Sequence, residues 1–179
     1  LAAYLRKQHQ PITFPDMVYA FDQLNLLDKH QKTGIVAVSV GTGFGWEYAS
    51  QKPREVEWIT AGSALGYPLH RSLFRWLIEF IRVSKQTLTI PDEIRKRDKG
   101  TVLLNKQFRK NPRSVIDIFG MAINMDSQDV MATVQTPVDL LWGRNDQFTP
   151  LWSGQRMSGL LPHARLEEVA DYYHYWYQF

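Results

Sequence analysis

The sequence predicts an α/β fold: a mostly parallel sheet flanked by helices, with a helical segment inserted into it. Three observations carry this. Gly34-Ile35-Val36-Ala37-Val38-Ser39-Val40 is short, apolar and β-branched without alternation, the pattern of a parallel strand covered on both faces. A glycine-punctuated helical stretch and a second strand follow it within about 30 residues, the order of a right-handed βαβ unit. After a helical middle section the same rhythm returns at Val138-Asp139-Leu140-Leu141-Trp142.

Taken in order, residues 12–29 read as a helix, with Pro15 at its first position and Met17, Phe21 and Leu24 on one face. The strand from Gly34 gives way to Gly41, Gly43 and Gly45, which lead into a helix over Trp46 to Ser50. Pro53 breaks the chain, and Val56 to Thr60 forms the next strand, ending at Ala61-Gly62-Ser63. Between Tyr67 and Ala132 two helical patterns, Leu69 to Val83 and Ser114 to Met125, flank a basic loop. Val138 to Trp142 is then a strand and Gly143 to Asp146 a loop. Thr149-Pro150 starts a helix with a hydroxyl cap and proline at its first position, and Arg165 to Val169 is a last strand. The expected organisation is a core built from 1–66 and 133–179, with 67–132 inserted as a helical cap.

Composition narrows the function classes. The 179 residues are 44% hydrophobic and 22% charged and include no cysteine, which excludes disulfide scaffolds, cysteine metal sites and thiol catalysis. No clustered His/Asp/Glu set has metal-ligand spacing, so no metal is expected. Between Arg95 and Arg113 eight basic residues face the single acid Asp98, so one segment outweighs the +3 of the whole chain. It reads as a solvated face, and no nucleic-acid motif accompanies it. No apolar stretch approaches the roughly 18 residues of a membrane span, and the opening Leu1-Ala2-Ala3-Tyr4-Leu5 is too short for a signal-peptide core. A soluble protein, cytoplasmic by preference, is expected, its oligomeric state left open. The Leu start and the aromatic run Asp171 to Phe179 suggest a piece of a longer chain.

Ser39 stands where the apolar strand turns through glycines into a helix. Such a turn lifts a hydroxyl above the carboxyl edge of the sheet, where the next backbone N–H, of Val40, can bond an oxyanion. Ala37 and Gly41, two residues to either side, are small enough to permit the turn. A dinucleotide-binding reading of Gly41-Thr42-Gly43-Phe44-Gly45-Trp46 fails, because the third glycine of that motif falls at Trp46 and no acid ends the next strand.

Over nearly its whole length the sequence resembles the α/β-hydrolase family. Val38-Ser39-Val40-Gly41, Tyr48-Ala49-Ser50 and Pro53 to Ile59 resemble the nucleophile strand, its helix and the next strand. Thr136-Pro137-Val138 through Leu141-Trp142-Gly143-Arg144-Asn145-Asp146 resembles the segment presenting the catalytic acid, and Leu160 through His174 the histidine loop. The resemblance implies Ser39 as nucleophile, Asp146 as acid and His174 as base, in the family's chain order. It also implies a capped serine hydrolase acting on a carboxylic ester or related small acyl substrate, without a cofactor. The sequence departs from the family in two places. Ala37 replaces the first glycine of the elbow, and nothing in residues 1–33 matches the His-Gly loop that supplies a second oxyanion N–H. Loss of one such donor costs roughly 10²–10³ in rate, so the chain by itself is expected to be nearly inactive. Upstream strands are absent too, which would leave the strand at Ile35 with an open apolar edge.

The residues support these assignments separately. Groups at work in such a sheet gather beyond the carboxyl ends of the strands, and Ser39, Asp146 and His174 each follow a predicted strand. His163 precedes its strand, while His9, His30 and His70 lie away from such exits. Asp139, inside a strand, and Asp171, three before His174, compete with Asp146, which is favoured because its loop can hold a buried carboxylate against the imidazole. Trp76, Phe119, Met121 and Met125 are candidates for an acyl pocket, although apolar helical residues are more often plain core. A non-catalytic binding relative, an acyltransferase and a cofactor-free peroxidase remain open on the same fold.

Overall fold

The computed structural model describes residues 13–24, 31–72, 74–76, 78–79, 81–82, 110, 117, 120–170 and 173–174. Four strands, β1 (Thr33–Val38), β2 (Val56–Gly62), β3 (Val138–Gly143) and β4 (Ala164–Val169), form one sheet in the order β1-β2-β3-β4. All three pairings are parallel, so every connection is a crossover. The helices are α1 (Phe14–Gln23), α2 (Gly41–Gln51), α3 (Gln128–Thr133) and α4 (Leu151–Leu160).

The register sorts the side chains by face. Ala37, Ala61, Leu140 and Leu166 lie abreast, and Ile35, Ile59, Val138 and Ala164 form the next row. This face meets α2 and α4: a Cβ placed on Gly45 would touch Ile35 and Ala37 at 3.5 and 3.6 Å, and Gly154 of α4 sits against the Trp142 ring. Trp46, Ile59, Leu140, Trp142 and Met157, each at most 1% exposed, lie in the core between them. The opposite row, Val36, Thr60, Asp139 and Arg165, is not covered in this way: Val36 is 72% exposed, and Asp139 pairs with Arg165 at 3.0 Å. The expectation that the first strand is covered on both faces therefore does not hold here. Its lack of alternation comes from valines on the open face.

Several element boundaries move for physical reasons. Helix α1 begins at Phe14 with Thr13 as N-cap in a capping box with Asp16, so Pro15 sits one position beyond the first; residues 12 and 25–29 of the expected helix lie outside the described residues. Helix α2 starts at Gly41 rather than Trp46, so its glycines are helical residues and not a loop. The cap of α4 is Pro150, without a side-chain hydrogen bond, because the Thr149 hydroxyl is used elsewhere. Of the inserted segment, helical residues are described at 74–76, 78–79, 81–82, 110, 117 and 120–123, whereas the charged run from Arg95 lies largely outside the described residues. Helix α3 straddles the boundary expected at 132 and packs on α2 and α4, with Met131 fully buried.

Strand hydrogen bonding continues past the strand ends on one edge. Ser39 N–H donates to Gly62 O at 3.0 Å, Ser63 N–H to Leu141 O at 2.9 Å and Arg144 N–H to Val169 O at 3.1 Å. The loops after β1, β2 and β3 are thereby tied together along the carboxyl edge of the sheet. His163 lies at the other end, its carbonyl accepting from the first residue of β3. Among the described residues no helix is long and apolar enough to cross a membrane.

Candidate active site

Ser39 sits in the tight turn between β1 and α2 with φ of 51°, a conformation L-residues avoid at a cost of roughly 1–2 kcal/mol. Its neighbours over-determine that conformation. The N–H is held by Gly62, and the carbonyl accepts from Thr42 N–H at 3.1 Å and Leu65 N–H at 3.3 Å. The buried Thr42 hydroxyl lies 2.6 Å from the same carbonyl and 2.8 Å from Leu65 O, and it accepts from Leu65 N–H at 3.0 Å. Among the described residues no acceptor takes the Val40 N–H, which stands at the start of α2 where the helix dipole favours negative charge.

The closeness of the turn depends on Gly43 more than on Gly41. A Cβ at Gly41 would meet nothing within 4 Å, whereas one at Gly43 would collide with the Phe14 ring and lie 2.6 Å from the Met125 methyl. The sequence-based account credited Gly41; the packing of α1 and Met125 on the first turn of α2 makes Gly43 the constrained position.

On the loop after β3, Asp146 is 1% exposed and its carboxylate accepts on both oxygens. Oδ1 takes the Phe148 and Thr149 N–H groups at 2.9 Å each. Oδ2 takes the Thr149 hydroxyl at 2.7 Å and faces Nδ1 of His174 at 2.9 Å. His174, 2% exposed, follows β4 and presents Nε2 to Ser39 Oγ at 3.1 Å. A proton on Nδ1, donated to the carboxylate, leaves Nε2 as an acceptor facing the hydroxyl. Of the two competing aspartates, Asp139 is turned to the open face with Arg165, and Asp171 lies outside the described residues.

Aromatic packing closes one side of the imidazole. The Phe148 ring lies 4.8 Å from that of His174, and Trp76 meets Phe148 edge-on at 5.0 Å. Arg71 spans the two segments, donating to the carbonyls of Gln147 and Phe148 at 2.9 and 3.0 Å while its guanidinium sits 5.8 Å from the Trp76 ring centre. Burial lowers the pKa of Arg71 from its ordinary value, and the Glu79 and Asp146 carboxylates partly offset this. Of the apolar pocket candidates, Trp76 and Met125 belong to the buried core, Met121 is half-buried, and Phe119 lies outside the described residues. Thr42, Arg71, Phe148 and Thr149 were missed by the sequence-based reading. Only Thr149 left a local signal, since an aspartate three residues before a threonine can bond the intervening turn.

No family model and no curated protein matches the sequence. Solved structures do resemble its fold. An α/β hydrolase from a Medee basin deep-sea metagenome library superposes with a TM-score of 0.67 at 16% identity over 92% of this chain. A hydrolase from Pseudomonas aeruginosa gives 0.61 at 19% over 92%, and a meta-cleavage product hydrolase from Pseudomonas fluorescens gives 0.64 at 20% over 90%. The chain has the α/β-hydrolase fold. It spans 66%, 66% and 63% of the lengths of those three structures. Within the α/β-hydrolase fold, Ser39, Asp146 and His174 come from the ends of three different strands, at the sheet edge where such folds place ligands.

Proposed function

We propose that this chain carries the reaction centre of a serine hydrolase acting on a carboxylic ester or related small acyl substrate. The observation behind this reading is the unbroken contact series from Ser39 Oγ through His174 to Asp146, beside a strained turn whose next N–H has no acceptor among the described residues. Ser39 is the nucleophile, His174 the general base and Asp146 the group that holds the imidazole.

In the proposed reaction Ser39 Oγ attacks the acyl carbon as His174 Nε2 takes its proton, and the Val40 N–H bonds the tetrahedral oxyanion. Collapse breaks the bond to the leaving alkoxide, which takes the proton from His174. Water then attacks the acyl-serine, gives its proton to His174, and the acid leaves as Ser39 is reprotonated. Asp146 stays a carboxylate throughout and stabilises the imidazolium. Residues 67–132 are assigned to a cap, and Trp76, Phe119, Met121 and Met125 to the apolar side of the substrate site, where Trp76 meets the Phe148 ring beside His174. No cofactor is invoked.

A fluorophosphonate probe applied to the full-length protein tests this reading. The expected result is covalent labelling that maps to Ser39, disappears in Ser39→Ala and is competed by acyl esters. A folded protein that takes no label would identify a binding relative instead, and faster transfer to an added alcohol than to water would identify an acyltransferase.

A further inference from the structure

We propose that Thr149 is a positioning residue that keeps Asp146 and His174 in register with Ser39. For its effect on rate this rests on the serine-hydrolase reading, whereas its effect on the imidazole does not. Asp146 is anchored at Oδ1 by two backbone N–H groups. Those bonds fix one oxygen and leave the other free to swing about it. The Thr149 hydroxyl bonds that second oxygen at 2.7 Å, shorter than any other contact the carboxylate makes. It also lies 3.2 Å from His174 Nδ1, so one oxygen atom braces both partners of the pair.

The hydroxyl has a single proton, and geometry decides where it goes. Asp146 Oδ2 is an ionised acceptor at 2.7 Å, and the Ser63 carbonyl is a neutral one at 3.2 Å. The charged, shorter bond wins. The remaining lone pairs face Nδ1, which favours the N–H on that nitrogen and leaves Nε2 unprotonated toward Ser39. Thr149 is fully buried, so no water replaces a lost hydroxyl, and its branched Cβ fixes the direction in which the oxygen points. The residue is not serving the following helix, whose cap is Pro150.

The test uses the full-length protein with Thr149→Val, which keeps the shape and removes the hydroxyl, and Thr149→Ser, which keeps the hydroxyl. Fluorophosphonate labelling rate, ester kinetics and the downfield proton resonance of His174 Nδ1–H are followed together. Thr149→Val is expected to lower kcat and the labelling rate roughly 10- to 100-fold, the loss typical of a buried bond to a charged group, with KM little changed. It is also expected to move the Nδ1–H resonance, and Thr149→Ser to restore all three readouts. In an Asp146→Asn background, Thr149→Val should cost little more, because its effect passes through the carboxylate. If Thr149→Val does not fold, Thr149→Ala takes its place. Normal labelling with an unmoved resonance in the folded variant overturns the proposal. An unlabelled parent protein overturns the serine-hydrolase reading instead, and the resonance alone then decides the role of Thr149.

Discussion

His174 Nε2 lies 3.1 Å from Ser39 Oγ although 135 positions of sequence separate the two residues. If the pair works as one unit, Ser39→Ala and His174→Ala should each reduce kcat to nearly the same floor, and the double variant should fall no further. Asp146→Asn should lose on the order of 10⁴ in kcat, because an amide in place of the carboxylate favours the wrong tautomer. Steady-state ester hydrolysis by the purified variants checks this, and strictly additive losses would count against a shared proton path.

Packing at the turn makes a prediction about stability. Gly43→Ala gains up to about 1 kcal/mol of helix propensity. Against that, the new methyl group must displace Phe14 and Met125, and overpacking of this kind costs about 1–3 kcal/mol. The net change should be destabilising, whereas Gly41→Ala, with open space around its Cβ, should be neutral or slightly stabilising. Urea midpoints at equal m-values distinguish them, and the reverse ranking would contradict the contact of α1 with the turn.

The start of α1 should respond to acid. Hydrogen bonds from the Thr13 side chain and backbone hold Asp16 below its ordinary value of 3.8. A carboxylate depressed on folding stabilises fully above its unfolded pKa and loses that contribution as pH falls through the folded value. Thr13→Ala should therefore cost about 0.5–2 kcal/mol near neutral pH. The difference from the parent should narrow below pH 3.8. Paired denaturation curves at several pH values measure it, and a gap that widens in acid would refute the assignment.

The edge of β1 should be adhesive. A groove of about 440 Å³ runs along it, lined by Phe21, Ile35, Val38, Phe44 and Tyr48 among others. Val36 points to the uncovered face beside it. The 179-residue chain is expected to self-associate with rising concentration, and Val36→Lys to raise the concentration at which it does so, since lysine on an edge strand discourages pairing. Light scattering on sized fractions is the measurement; a monomer at all concentrations, with or without the lysine, would refute the expectation.

Tyr48, expected within the helix after Ser39, acquires chemistry from its surroundings. Burial, aided by the nearby Glu55 and Asp22 carboxylates, raises its phenol to about 12, while its ring stacks on Phe44 and meets Phe21 edge-on. The pattern around Tyr48 marks a helix but says nothing of Glu55, which arrives from the turn before β2 to accept the phenol at 3.1 Å.

What the sequence determined by itself was periodic or local. Continuous apolar runs announced the parallel strands, the glycines after Val38 announced a tight turn at Ser39, and chain order placed Ser39, Asp146 and His174 after three different strands of one sheet. Tertiary structure decided the rest: which face of β1 is covered, that Gly43 limits the turn, and that the Thr149 hydroxyl bonds Asp146 instead of capping α4. The physical reason is range. Backbone propensity and hydrophobic period act over a few neighbouring residues, whereas the Thr149 hydroxyl proton chooses between a carboxylate three residues away and a carbonyl 86 residues away that the packed chain brings to 3.2 Å.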